Sequence, residues 1–137
     1  MYSLRSIAAC ALVILFALPA TGAMAQRIGN ATATKNKVDG IVRGAAQTIS
    51  PGTDVYSNET VRTAVESVAD LKFLDETKLS VGPRSEVRLD KFVYNPSGSA
   101  GSVVINATRG AFRFVTGTQD VKAYKIRTPY GTLGIRG

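Results

Sequence analysis

Asp75 and Glu76 are the only neighbouring carboxylates in the chain, and paired acids are the usual start of acid–base chemistry. Adjacent strand residues point to opposite faces, and no partner across a cleft is visible, so a glycosidase pair does not fit. Calcium needs roughly six to eight oxygen ligands, and no calcium-loop spacing is present. Asp readily accepts bonds from its own backbone, so the pair reads as a hairpin turn. The chain has no histidine, and its single cysteine is Cys10. Ordinary zinc and copper sites and a Ser-His-Asp triad therefore lack their residues. Ser85 with Lys78 or Lys91 matches no nucleophile spacing, and after Gly82-Pro83 this serine reads as a turn closer. Gly131, Gly134 and Gly137 precede neither a helix nor a Walker lysine, so they form no phosphate cradle. The residues nominate no catalytic, cofactor or metal position, and the expectation is a protein that binds without enzymatic activity.

Four residues are candidates for binding. Arg84 and Arg88 suit an acidic partner, because a guanidinium forks onto a carboxylate. Tyr94 and Tyr130 flank or occupy turns, where an exposed ring favours an interface. Each has a plainer alternative: a solvated strand face for the arginines, packing over a core edge for the tyrosines. The formal charge is +7. The basic residues are scattered, which speaks against a nucleic-acid surface; the plainer reading is that the charge aids solubility, with a polyanion or an anionic membrane surface as the more natural attraction if there is one.

Period-two alternation must position these residues. From Val68 to Leu89, Leu71 and Phe73, then Leu79 and Val81, then Val87 and Leu89 form apolar pairs on one face. Asp75-Glu76-Thr77 and Gly82-Pro83-Arg84-Ser85 break the runs where turns belong. Strands follow at Ser102–Thr108, Ala111–Val115 and Val121–Thr128, and a further one starts at Thr132. Asn95–Gly101 is the clearest loop. The expected class is all-β, with about ten short, mostly hairpin-connected strands in two packed layers. A sandwich, a roll and a β-solenoid all remain open. The expected inward set is Leu71, Phe73, Leu79, Val81, Val87, Leu89, Val103, Ile105, Phe112, Phe114 and Ile126.

The chain of 137 residues holds one domain at most. Residues 1–25 have the basic lead, apolar run and Ala23-Met24-Ala25 end of a secretory signal peptide, with cleavage expected between Ala25 and Gln26. Export would carry the protein to the periplasm or beyond, lower its formal charge to +6 by removing Arg5, and discard Cys10. The apolar run is short of the ~20 residues of a membrane span, and no later segment is long and apolar enough. Residues 26–37 are small and polar and read as a flexible lead, with its end open to pinning as an edge strand. Residues 38–137 form the expected domain.

This pattern resembles the FecR-like domain, named after the envelope regulator of ferric-citrate uptake in Gram-negative bacteria. The matching pieces are Gly40-Ile41-Val42-Arg43-Gly44, Pro51-Gly52-Thr53-Asp54-Val55, Val61-Arg62-Thr63, the run from Ala69 to Ser85, Arg109-Gly110-Ala111-Phe112-Arg113-Phe114 and the run from Ile126 to Gly137. The resemblance implies a periplasmic β-rich sensor or interaction module, whose partner is an envelope protein, a peptide or a cell-wall component. In the named regulator the domain relays the state of an outer-membrane receptor to a sigma factor. That relay needs a cytoplasmic segment and a membrane helix, which this sequence does not display, so direct sigma-factor control is the less favoured expectation. The family continues into a closing strand where this sequence stops at Gly137. A truncated product or a short last strand would explain this, and either leaves a sheet edge for pairing with another chain.

Overall fold

The structure, a computed structural model, describes residues 25–96 and 101–134. The leader expected at residues 1–25 lies outside the described residues except for Ala25. Twelve strands are present among the described residues: β1 (Arg27–Lys35), β2 (Val38–Val42), β3 (Ala45–Thr48), β4 (Asp54–Tyr56), β5 (Thr60–Thr63), β6 (Val68–Phe73), β7 (Lys78–Val81), β8 (Glu86–Val93), β9 (Ser102–Arg109), β10 (Phe112–Val115), β11 (Tyr124–Thr128) and β12 (Gly131–Gly134). They make two sheets. One runs β10-β7-β6-β1-β4, the other β12-β11-β9-β8-β5-β2-β3.

The all-β reading holds. Alternation in β6, β7 and β8 sends Leu71, Phe73, Leu79, Val81, Val87 and Leu89 inward, each no more than 3% exposed. They meet Val103, Ile105 and Ile126 from β9 and β11 in one core. Phe112 and Phe114 pack against that core but remain partly exposed, because β10 is an edge strand. Pairing is antiparallel except between β9 and β11, so the arrangement is two stacked sheets and not successive parallel coils. The expected predominance of hairpins does not hold: hairpins join β2 to β3, β6 to β7, β8 to β9 and β11 to β12, while the other seven connections carry the chain between the sheets, because successive strands bury their faces in opposite layers.

Two further expectations need correction. The stretch 26–37 is not a flexible lead: Arg27–Lys35 is β1, an inner strand with β4 on one side and β6 on the other. Its Ala-Thr residues hid this, since only Ile28 is large and apolar. Small side chains are what this place requires, since Gly29 lies against the β6 backbone and Ala31 is wholly buried. The strand expected from Val121 begins later. Val121–Ala123 is one 3-10 turn, held by Asp120, whose Oδ1 accepts the Lys122 N–H at 2.9 Å.

Candidate functional site

Asp75 and Glu76 sit in the β6–β7 turn, as their types suggest, and they point apart. Glu76 is exposed and reaches Lys72 Nζ at 2.8 Å. Asp75 is fully buried. Its Oδ1 accepts the Thr77 N–H at 3.0 Å, and its Oδ2 accepts the Tyr124 hydroxyl at 2.8 Å and Gln119 Nε2 at 2.9 Å. The Asp75 carbonyl accepts the Thr118 N–H at 2.8 Å. The Tyr124 hydroxyl in turn accepts the Gly117 N–H at 3.1 Å. Burial pushes the Asp75 carboxyl up, but the bonds from Gln119, Thr77 and Tyr124 outweigh it and hold the group below the usual carboxylate range. Burial pushes the Tyr124 phenol up, and the neighbouring Asp75 charge adds to that. A carboxylate held ionised, with its oxygens engaged by protein donors, fastens the 116–120 segment to the turn. It is poorly suited to take or give a proton.

Ser85 also serves the frame. Its hydroxyl donates to the Pro83 carbonyl at 2.9 Å and accepts the Ala111 N–H at 3.0 Å, which ties the β7–β8 turn to the β9–β10 turn. Asp70 lies on β6 and Asp90 on β8, on the outward sides of different sheets. Among the described residues, no group of three or more His, Cys, Asp or Glu gathers as a metal site would require. No described helix is long and apolar enough to cross a membrane.

The four nominated binding residues separate. Arg84 is exposed at the tip of the β7–β8 turn, with φ +51°. Through Ser85 that turn touches Gly110 and Ala111, at the same end of the molecule as Tyr130. Tyr130 is 99% exposed in the β11–β12 turn. It stands over an open groove of about 360 Å3, whose walls include Arg109, Gly110, Phe112, Thr128 and Pro129. Arg88 lies elsewhere, on the outer face of the seven-stranded sheet, with its Nε 2.9 Å from Asp90. Tyr94 is at the opposite end, partly buried, its ring 6.4 Å from that of Phe92. Sequence reasoning missed Arg109, because only the return of β11 beside β9 sets it near Tyr130. It also missed Glu59, read as part of a polar break and found 4% exposed. Its one signal was Gly40, on the paired strand.

The matched strands and turns that build this end have a counterpart in known sequence. A family model described as "FecR protein" matches residues 59–137, more than half of the chain. The chain belongs to the FecR protein family. No curated protein and no solved structure matches it. The FecR match begins at Glu59, later than the resemblance read from Val38, and it takes in β5 through β12. The FecR segment therefore contains both the Asp75 network and the Tyr130 groove. Strands β1 to β4 precede it, yet β1 pairs with β6 and β2 with β5. The FecR strands are thus completed at their edges by residues outside the match.

Proposed function

We propose that this FecR-family domain is an envelope binding module that receives a protein or peptide partner in the groove beside Tyr130 and performs no reaction on it. The observation that carries this reading is the complete exposure of Tyr130 at the groove mouth. A tyrosine offers a large rigid surface and a polar tip, and it is among the residues that dominate binding energy at interfaces. Arg109 adds a cation to the groove wall, although Glu86 Oε2 lies 3.6 Å from its Nη2. The signal-peptide pattern of the first 25 residues supports an envelope address.

The test is affinity capture from the envelope extract of the native host, with the full chain and with Tyr130→Ala as baits. The expected result is a partner recovered by the first bait and lost from the second. Equal recovery by both would remove the groove from the reading. Recovery of an outer-membrane receptor would extend it to the receptor-coupled signalling that the family resemblance implies.

A second reading rests on β12, which lies at the edge of the seven-stranded sheet with Leu133 55% exposed. Such an edge can accept a strand from another chain. Sedimentation over a wide concentration range separates self-pairing from the first reading: a strict monomer counts against it.

A further inference from the structure

The other lateral edge of the molecule, where β2, β3 and β4 meet, holds a carboxylate with unused bonding capacity. Glu59 ends the β4–β5 turn and is 4% exposed. Its Oε2 accepts the Tyr56 N–H at 2.7 Å, and its own N–H donates to the Tyr56 carbonyl at 3.2 Å. Oε1 lies over Gly40, where a Cβ would stand 2.0 Å from it, so a larger residue there would displace the carboxylate from β2. The same side chain lines a cavity of about 310 Å3, with Val42, Ala45, Gln47, Ile49 and Tyr56 around it. Asp54 is also in the wall, but Arg27 Nε already holds its Oδ1 at 2.8 Å.

A largely buried carboxylate with one oxygen facing an open cavity favours a donor or a counter-charge there. A metal ion would need several more oxygens than one acid supplies, and the described residues gather no such set. Apolar walls around one acid suit an organic cation. The volume, at the small end for ligand sites, suits one of few heavy atoms. We propose that this cavity binds a primary ammonium group, with Glu59 Oε1 as its acceptor and Val42, Ala45 and Ile49 around the attached carbons. Burial pushes the Glu59 carboxyl up, against the Tyr56 N–H, and a bound ammonium reverses that. Two sources share the chemistry. One is a free alkylammonium. The other is the α-ammonium of Gln26, which processing after Ala25 would create beside the cavity, since Ala25 lines it and the Gln26 carbonyl is held by the Ser57 N–H at 2.8 Å.

The site lies at the opposite edge of the seven-stranded sheet from Tyr130, so it stands or falls separately from the groove. The test is an NMR titration of the full chain with n-butylammonium, and with n-butanol as the neutral control of similar shape. Saturable shifts at Gly40, Gln47 and Ile49 are expected from the ammonium alone. Glu59→Gln should weaken binding by about ten- to a hundredfold, the loss of one hydrogen bond to a charged group. Ala45→Phe, on the exposed edge strand, should block the cavity while leaving Glu59 and the fold in place. In protein recovered after export, a lowered Glu59 pKa with no uptake of butylammonium assigns the site to the chain's own N-terminus, and uptake assigns it to a free amine. Butanol binding equal to butylammonium, unchanged binding by Glu59→Gln, or no saturable shift in the full chain overturns the proposal.

Discussion

Asp75 and Tyr124, 49 residues apart in sequence, share a 2.8 Å hydrogen bond between buried side chains. The bond joins the β6–β7 turn of one sheet to the first residue of β11 in the other. It closes the two layers where no disulfide does, since the only cysteine is Cys10. Removing one partner leaves the other buried without its bond. Tyr124→Phe and Asp75→Asn should each lower stability by about 1–3 kcal/mol, and more where the remaining group cannot reach water. Denaturant melts of the two single variants and the double variant test this. A coupling near zero in the cycle would show that the two residues act independently.

The same carboxylate sets an acid limit. The folded pKa of Asp75 lies below its unfolded value, so its contribution is fully present above the unfolded pKa. It is lost as pH falls through the folded pKa. Thermal melts from neutral pH to about pH 2 should therefore show a steeper acid loss for the wild type than for Asp75→Asn, across and below the ordinary Asp range near 3.9. Parallel acid limbs would assign the acid sensitivity to another group.

Glu59 works with the opposite sign. Burial raises its folded pKa above 4.5, so the charged form is a cost at neutral pH that lessens as pH falls through the folded pKa. Glu59→Gln keeps an oxygen for the Tyr56 N–H and removes the charge. Its melting midpoint should exceed the wild type's near pH 7, with the advantage fading as pH falls through the folded pKa and gone by about pH 4. A lower midpoint at neutral pH would mean that the ionised group is needed by the fold.

Gly29 tests whether β1 belongs to the domain. A Cβ there would stand 2.2 Å from the Lys72 carbonyl oxygen and 2.8 Å from the Phe73 Cα, both backbone atoms of β6. Gly29→Ala must push the two strands apart, at a cost of about 1–3 kcal/mol typical of overpacking. The change should appear in the denaturant midpoint. No change would mean that β1 can detach without harm.

Tyr130 supplies the converse. It is wholly exposed, and its N–H donates to Thr128 Oγ1 through the backbone, which an alanine retains. Tyr130→Ala should alter stability by no more than about 0.5 kcal/mol. A clear loss in the melt would give the ring a packing role in place of a binding one.

Read alone, the residues of the middle of the chain determine the class. Strict alternation from Leu71 to Leu89 leaves one apolar face, and a face of that kind must be covered by a second layer. Turn residues at Asp75-Glu76 and Gly82-Pro83 then fix where the strands end. Those choices are local, carried by residues within a few positions of each other, and so they are legible. The place of β1 is not local. Its small residues carry no period, and its value comes from strands 24 to 44 positions away in the chain, as with Asn30 between Asp54 and Lys72. The same holds for the carboxylates. Asp75 and Glu59 look like solvated turn residues until Tyr124 and Gly40 arrive from other strands. Tyr130 and Arg109 become neighbours only because β11 returns parallel to β9. Period-two burial is encoded residue by residue. The burial of a charge and the assembly of a groove depend on which distant segments fold against it, and only the packed sheets decide that.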